Sequence, residues 1–190
     1  MPRRTDSRDR MVATAARLLR AQGYAATGWR QVVAESGAPW GSQAHHFPGG
    51  KEQLAADALT LAAAEVERGL RAAVRDVHPA DAVLRWAARA AADLEASGYA
   101  AGCPVATVAL ETAHTSAPLA EASAAALGSW RAVLAGSVAR HGAEDPDALA
   151  TLVLAGMEGA LLLARTARDP APLRTVAAQL ADLLRARLPV

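Results

Sequence analysis

Two histidine-containing motifs are the parts of this sequence whose residue types and spacing could hold a metal. His45 and His46 are adjacent, and Glu111 precedes His114 by three residues. Adjacent side chains on a helix point about 100° apart, which argues against a shared metal at the first motif. Di-iron bundles use the Glu-x-x-His spacing but need a second such pair, and Glu158 has no histidine three residues on. We predict no metal here, and expect Glu111 and His114 to contact ligand or structure, or to be a surface pair.

The single cysteine, Cys103, excludes an intramolecular disulfide, and a cysteine-based zinc site is not expected. It lies between Gly102 and Pro104 with no cationic neighbour in sequence, so we expect a small buried hydrophobe and not a redox sensor. The sequence has no nucleophile-elbow, phosphate-loop or paired-carboxylate motif. It therefore predicts neither an enzyme nor a cofactor; an all-helical enzyme that uses Glu111, His114 or Cys103 is the alternative.

The composition favours helices. Of the 190 residues, 52% are hydrophobic but only 4% are aromatic, so Ala, Leu and Val supply most of the apolar surface. Ala and Leu are strong helix formers, whereas aromatic and β-branched residues favour strands. A chain of this length can bury a core in one or two small domains. We therefore predict an all-α protein.

The charge is distributed unevenly along the chain. Residues 1–51 hold seven arginines and Lys51, the only lysine, against three acidic residues, a net charge of +5. Residues 52–190 hold twelve arginines against sixteen acidic residues, a net charge of −4. Such asymmetry is expected when one end of a protein meets a polyanion. Four arginines of the first predicted helix are expected to be available to water or phosphate: Arg8, Arg10, Arg17 and Arg20.

Two segments bear on the cellular compartment. The N-terminal arginines lead into an amphipathic segment and not an apolar run, so we expect no signal peptide. Residues 148–164 carry one charge, at Glu158, but are about one turn short of a membrane span and contain Gly156 and Gly159 near their centre. We expect a buried core or interface helix there, and a cytoplasmic protein.

Proline and glycine divide the chain into nine predicted helices. The first is expected to begin near Asp6 or Ser7, which are good N-caps, and to end at Gly23. Gly37 is expected to end the second, and Pro39 to occupy the first position of the third, where a missing N–H costs nothing. The approximate predicted ranges are 7–22, 27–36, 39–47, 51–76, 80–96, 104–113, 118–141, 146–168 and 171–188.

The second and third predicted helices form a motif. Two short helices joined by a three- or four-residue turn that contains glycine form a helix-turn-helix, whose second helix enters the major groove of DNA. This motif lies inside the +5 segment, and the first helix precedes it to complete a small core. The pattern therefore predicts double-stranded DNA as a partner.

Three stretches of the sequence resemble the TetR family of bacterial transcriptional regulators: residues 23–27, 36–39 and 45–54. The proline after the turn, the string Phe-Pro-Gly-Gly-Lys-Glu, and residues 102–106 with Glu111 resemble the LmrA/YxaF-like subgroup. The resemblance covers nearly the whole chain. It implies a helix-turn-helix DNA-binding domain over residues 1–50 and a helical ligand-binding and dimerisation domain over residues 51–190.

The resemblance also implies a function. It suggests a repressor that binds palindromic operator DNA as a homodimer and is released by a small, mostly apolar effector. Effector binding is expected to swing helix 4, so that the two recognition helices no longer match adjacent major grooves. An activator or a ligand-independent regulator of the same fold is the alternative.

The expected DNA contacts lie on the turn and on the third and fourth helices. Gln43 could pair with adenine, and Ser42 with a base or a phosphate. The Lys51 ammonium and the Thr27 hydroxyl are expected to contact phosphates. One residue of the histidine pair is expected to be a core or capping residue and the other to face phosphate. The full expected set is Thr27, Pro39, Trp40, Gly41, Ser42, Gln43, His45, His46 and Lys51.

Two positions depart from the family pattern. Family members commonly carry Leu-Tyr before the histidine pair, and the Tyr typically touches phosphate; this chain has Gln43 and Ala44. Trp40 stands where a basic or small polar residue is usual. It is expected either to contact DNA, for example by packing on a thymine methyl, or to cover helix 2.

The C-terminal half offers an effector cavity among helices 5 to 8 and an interface. The residues expected to line the cavity are Trp86, Val108, Glu111, His114, Trp130 and Met157, although core packing explains the large apolar ones equally well. Helix 8 is apolar nearly all round and must be covered on every side. Helix 9 offers a matching stripe, so we expect a two-fold dimer through helices 8 and 9. That stripe is Leu173, Val176, Ala177, Leu180, Leu184 and Leu188.

Overall fold

The computed structural model describes residues 4–189, so the outer ends of the two predicted domains, residues 1–3 and 190, lie outside the described residues. The described residues form nine α-helices and no strand, which confirms the all-α prediction. The helices are α1 (Arg4–Ala26), α2 (Trp29–Ser36), α3 (Ser42–His46), α4 (Gly50–Ala73), α5 (Pro79–Ala96), α6 (Pro104–Thr112), α7 (Ala117–Ala139), α8 (Pro146–Ala167) and α9 (Ala171–Arg187).

Prolines and side-chain caps set the starts of three helices. α5, α6 and α8 each begin with a proline, whose missing N–H would have had no partner in the first turn. The side chain before each proline accepts an N–H of the first turn. These capping residues are His78, Cys103 and Asp145. Cys103 is buried, as expected, and in addition caps α6.

The largest differences between predicted and observed helix starts are at α1 and α3. α1 begins at Arg4, so the expected N-caps Asp6 and Ser7 lie inside the helix. α3 begins at Ser42 and not at Pro39, because the Ser42 N–H donates to the Pro39 carbonyl at 3.1 Å and closes a turn. Gly41 has φ +96° and ψ −19° in this turn, a conformation that glycine adopts at the third position of a type II turn. Pro39 therefore begins a turn and not the recognition helix.

The described residues form two compact units. The first comprises residues 4–64 and 103–126, and the second comprises residues 65–102 and 127–189. α4 and α7 contribute residues to both units. The predicted boundary between residues 50 and 51 separates a DNA-binding domain from a ligand-binding domain. The compact units are defined by contacts and not by function, so the boundary stays a prediction.

In the first unit, α1 packs against α2, α3 and α6. The core also includes Val32 of α2 and Phe47, which follows α3; both are at most 2% exposed. The predicted small core beside the helix-turn-helix is therefore confirmed. The α1 residues that line it are Met11, Ala15, Leu18 and Leu19.

In the second unit, α9 packs against α5 and α8. The apolar stripe of α9 that was expected at a dimer interface is largely buried inside this unit; for example, Leu173 and Leu184 are at most 1% exposed. The stripe is used within the protomer because α5 and α8 cover it. Any contribution of α9 to a dimer must come from its other face.

α8 is the most apolar long helix of the second unit. By length and composition it is the one helix in the described part of the chain that could cross a membrane, and a third of its most apolar window is buried. Its inner face packs against α9, while three leucines on it are 48–59% exposed. They are Leu152, Leu162 and Leu163.

We expect Gly156→Val to lower the free energy of unfolding by about 1–3 kcal/mol, because overpacking forces neighbouring side chains and backbone to shift. A Cβ at Gly156 would lie 3.2 Å from Leu180 Cδ1 and 3.5 Å from Val176 Cγ1. The matched control is Gly69→Val on the exposed face of α4, where nothing lies within 4 Å of a Cβ. The control should be neutral or slightly stabilising, because valine is a better helix former than glycine. Equal unfolding free energies in a denaturant titration would contradict the close packing of α8 on α9.

Candidate nucleic-acid interface

The turn between α2 and α3 is held by local geometry and by one arginine of α1. α2 ends at Ser36, and Gly37 follows with φ +63°, the left-handed conformation that closes many helices. Arg10 Nε donates to the Ser36 carbonyl at 2.9 Å, which satisfies an acceptor left unpaired at the helix end. Ser36 Oγ accepts the N–H of Ala38 at 3.3 Å. These bonds set the path of the chain from α2 to α3.

The first residues of α3 hold short local hydrogen bonds. Ser42 Oγ donates to the Pro39 carbonyl at 2.7 Å, and Gln43 Oε1 accepts the N–H of Gly41 at 2.7 Å. The Ser42 oxygen can still accept a bond, and the Gln43 amide nitrogen can still donate two. A bidentate pair with adenine uses both the oxygen and the nitrogen of glutamine. Gln43 Oε1 has a second lone pair, so the bond from Gly41 leaves one acceptor site for the predicted base contact.

Trp40 lies in the turn before α3 with 66% of its surface exposed. A ring that covered α2 would be buried against it, so that alternative does not describe this structure. The exposed indole remains available to another molecule, and a DNA contact at Trp40 stays our prediction. Pro39 and Gly41 beside it are exposed as well.

The two histidines have different surroundings, as expected. His46 Nε2 lies 2.9 Å from Ser7 Oγ, and its ring meets Phe47 edge-on, so His46 joins α3 to α1 and to the core. His45 is exposed. Of the pair, His45 is the better placed for phosphate. In the described part of the chain, no group of three or more His, Cys, Asp or Glu side chains could hold a metal ion.

Thr27 is 3% exposed, and its hydroxyl donates to the Gly23 carbonyl at 2.7 Å. The hydroxyl thus satisfies an acceptor at the end of the regular part of α1. This bond assigns Thr27 a structural role between α1 and α2. The phosphate contact expected of the same hydroxyl would require Thr27 to leave its buried position.

Lys51, near the N-terminus of α4, is held against the end of α1. Its ammonium lies 4.3 Å from the centre of the Tyr24 ring and donates to the Ala25 carbonyl at 3.4 Å. Partial burial lowers the pKa of Lys51, and the nearby negative charge of Glu111 opposes that shift. Burial also raises the pKa of Tyr24, with a smaller contribution from Glu52. An incoming phosphate would replace contacts that are weak and partly exposed.

The end of α1 is interrupted at Gly23, and Glu111 of α6 fills the interruption. Gly23 has φ +80° and ψ −176°, so the helical hydrogen-bond ladder breaks there and the next N–H groups lose their helical acceptors. Glu111 Oε1 accepts the N–H of Tyr24 at 3.2 Å, and its Oε2 accepts the N–H of Ala25 at 2.7 Å. A carboxylate at such a restarted turn also opposes the positive end of the peptide dipoles. We call this pair of bonds the Glu111 clamp.

Gly23 is required for the clamp by both its conformation and its size. A Cβ at this position would lie 1.8 Å from Glu111 Oε1, which is far inside contact distance. A positive φ also disfavours every residue with a side chain. Gly23 therefore permits the break and leaves room for the carboxylate.

The six residues expected to bind effector divide between the two units. Val108, Glu111 and His114 belong to the first unit, and Trp86, Trp130 and Met157 belong to the second. In the first unit, Val108 is fully buried and His114 is exposed; in the second, Trp130 and Met157 are at most 2% exposed and Trp86 is half-buried. Glu111 already binds two backbone N–H groups, so its first role in this structure is in the clamp. The effector contacts stay predictions.

Three of the four α1 arginines that were expected to face solvent or phosphate have partners within the first unit. Arg8 pairs with Asp57 at 2.7 Å, and Arg10 bonds the end of α2 as described above. Arg17 bonds Glu35, and the bonds from Arg17 and Gln31 lower the pKa of that carboxyl. Arg8 and Arg17 still face solvent, with side chains 40% and 62% exposed, but the sequence did not reveal their partners, which lie 49 and 18 residues away.

Sequence reasoning missed the residues that connect the elements of this interface. Arg10 and Glu111 both bind main-chain groups at helix breaks, and both act across long sequence separations. Gly23 and Gly37 indicate helix ends, where backbone N–H and carbonyl groups have no helical hydrogen-bond partner. No local pattern identifies the side chain that satisfies them.

The chain is similar to known proteins over nearly its full length. Residues 11–58 match the model of bacterial regulatory proteins of the tetR family, and residues 79–179 match the C-terminal domain of LmrA/YxaF-like transcriptional regulators. The HTH-type transcriptional regulators YxaF and LmrA of Bacillus subtilis are 37% and 35% identical, covering 97% and 95% of this chain and 98% and 97% of their own. The crystal structure of a TetR transcriptional regulator from Chloroflexus aurantiacus has a TM-score of 0.84 and 31% identity, with 99% of this chain and 98% of that chain covered.

We expect Glu111→Ala to expose the amides of Tyr24 and Ala25 and to weaken DNA binding. Hydrogen bonds to a charged acceptor contribute about 1.5–3 kcal/mol, and solvent around this exposed carboxylate reduces that to about 1 kcal/mol. Amide exchange at Tyr24 and Ala25, followed by NMR, should accelerate by about fivefold or more, while Glu111→Gln should protect one of the two amides. The control is Glu121→Ala, an exposed position on α7. Unchanged exchange in Glu111→Ala would mean that the clamp does not hold the end of α1.

Proposed function

We propose, since the chain belongs to the TetR family of bacterial transcriptional regulators, that it represses transcription by binding palindromic operator DNA as a homodimer in the cytoplasm. The chain is a DNA-binding transcriptional regulator and not an enzyme. We further propose that a small, mostly apolar effector releases the dimer from DNA. The repressor role, the effector and the dimer are the parts of this account that require experiment.

The observation that carries the proposal is the exposed surface of α3 and its preceding turn within the basic N-terminal segment. Trp40 and His45 are exposed, and Ser42 and Gln43 are half-exposed with hydrogen-bonding capacity to spare. α3 is supported from behind by Phe47 and by the bond between His46 and Ser7. A supported helix with a free polar edge is what base reading in the major groove requires.

Lys51 is the residue we assign to a phosphate. Its ammonium lies near the N-terminus of α4, where the helix dipole also attracts an anion. The cation–π contact with Tyr24 places the ammonium beside the α1–α2 junction before DNA arrives. A lysine held in this way loses less conformational freedom when it binds a phosphate.

The exposed leucines of α8 support the homodimer. Leu152 and Leu163 are eleven residues apart, about three helical turns, so they lie on one face. Large exposed apolar side chains on one face mark an interaction surface. A two-fold axis would place the same face of α8 from both protomers in contact, with the outer face of α9 beside it. Two-fold symmetry also matches a palindromic operator.

The effector would act by favouring one of two conformations. Of the expected contact residues, Glu111 carries the argument, because its carboxylate also forms the clamp. A ligand that engages Glu111 competes with the clamp, so the end of α1 and Lys51 would lose their positions as the ligand binds. Because a ligand with equal affinity for both conformations shifts nothing, an effector that saturates the dimer without changing DNA affinity would end this part of the proposal.

Two substitutions should separate phosphate contacts from base reading. Lys51→Gln should reduce the slope of log Kd against log salt by about 0.9 for each subunit. It should also weaken binding to the specific and the scrambled duplex by the same factor. Gln43→Ala should cost about 1–3 kcal/mol for each half-site on the specific duplex only. Fluorescence anisotropy with the upstream region of its own gene, beside a scrambled duplex, measures both.

The control for these titrations is Arg89→Gln on α5, whose side chain is 79% exposed and paired with Asp93. It removes a positive charge outside the proposed interface and should leave both Kd and salt slope unchanged. If Arg89→Gln changes the salt slope as much as Lys51→Gln does, binding follows net charge and the assignment of Lys51 is wrong.

For the dimer, we expect Leu163→Arg to shift the protein to monomer. Burial of one leucine at the interface contributes about 2 kcal/mol to the free energy of dimerisation, and the two-fold axis doubles the loss because both protomers carry the substitution. The matched control is Leu110→Arg on α6, where the side chain is already 79% exposed. Sedimentation equilibrium distinguishes the two. A Leu163→Arg protein that stays dimeric would exclude this face of α8 as the interface.

A further inference from the structure

A groove in the second unit lies outside the DNA interface and does not include the proposed effector contacts. It is formed by the end of α4, the connection to α5 and the last turns of α7, and its volume is about 610 Å³. Small-molecule sites commonly have volumes of about 300–1,000 Å³. The groove is therefore large enough for a small organic molecule.

The groove is lined by more positive than negative charge. Arg71, Arg75 and Arg140 line it, with Asp76 as the acidic side chain of the lining. Arg71 is paired with Glu67 at 2.6 Å, and Ser129 also bonds that glutamate. The glutamate's pKa is lowered by the bonds from Ser129 and Arg71, so it stays negative and neutralises Arg71. The positive field of the groove therefore comes from Arg75 and Arg140.

The remaining lining suits a flat apolar body. Val77 and Ala132 lie in the lining with accessible aliphatic surface, and the buried Val74 and Val133 lie behind them. His78 and His141 also line the groove with their rings edge to face, 5.3 Å apart. His78 Nδ1 accepts the N–H of Ala80, and His141 Nδ1 lies 3.1 Å from the Ser137 carbonyl, so both rings are fixed from behind.

We propose that this groove is a binding site for an organic anion whose apolar body lies against Val77 and Ala132 and whose acidic group meets Arg75 and Arg140. Two arginines that face one groove recognise carboxylate, sulfonate or phosphate oxygens through their planar donor sets. Asp76 opposes the anion and limits its affinity. This proposal does not depend on the proposed function, because anion binding to the groove is measured on the protein without DNA.

The probe is 1-anilinonaphthalene-8-sulfonate, with N-phenyl-1-naphthylamine as its neutral analogue, titrated into the full-length protein by fluorescence. The double variant Arg75→Gln/Arg140→Gln should bind the sulfonate at least tenfold more weakly and the neutral analogue equally well. Arg89→Gln, which removes an arginine outside the groove, should change neither. Higher salt should weaken the binding of the sulfonate and leave the binding of the neutral analogue unchanged.

Two further variants test the location. Asp76→Asn should tighten sulfonate binding severalfold; Asp76 has φ +52°, a conformation that asparagine also tolerates. Gly136→Leu should narrow the groove and weaken sulfonate binding, because Gly136 lines it and its nearest neighbour to a Cβ is the flexible end of Arg140 at 3.9 Å. Circular dichroism checks that each variant is folded. Sulfonate binding that is unchanged in the arginine double variant or in Gly136→Leu would overturn the proposal.

Discussion

Glu111 accepts two hydrogen bonds from the backbone at the end of α1, and this contact joins α6 to the helix that supports the helix-turn-helix. They exist because Gly23 breaks the helix and leaves the amides of Tyr24 and Ala25 without helical acceptors. A carboxylate stabilises these amides better than a neutral acceptor would, since hydrogen bonds to an ionised oxygen are stronger and the local dipoles favour negative charge. α6 thereby holds the end of α1 and the start of the segment that leads to α2.

The residues that form or support the proposed DNA-facing surface are held by bonds to α1. Thr27 bonds the Gly23 carbonyl, Lys51 lies on the Tyr24 ring and on the Ala25 carbonyl, and Arg10 of the same helix bonds the end of α2. α1 is thus the support on which the helix-turn-helix is assembled. α6 belongs to the same compact unit, although it lies far from α1 in sequence. A regulator in which the DNA-facing helices and α6 share one unit can pass a change at α6 to DNA without a separate relay.

The fold could be predicted from the sequence because its signals are local. Pro104 and Pro146 begin helices as expected, and Gly23 and Gly37 end regular helix where predicted. Pro39 misled the prediction, since it occupies the first position of a turn and the helix begins only at Ser42. The partners of Glu111, Arg10 and Arg17 could not be predicted, because each bond joins groups whose proximity only the tertiary fold creates. The α9 stripe was assigned to the wrong neighbour, since periodicity identifies a buried face but not what covers it.

The central claim is that this chain reads a two-fold symmetric DNA sequence. Selection of bound fragments from a pool of genomic duplexes, followed by sequencing, tests it most directly. The account predicts enrichment of a palindrome whose half-site centres are about one helical turn of DNA, or a whole number of turns, apart. It also predicts that binding to this palindrome is at least about a thousandfold tighter than to a scrambled duplex at physiological salt. A pool that shows no enriched sequence, with equal salt-dependent binding to every duplex, would contradict it.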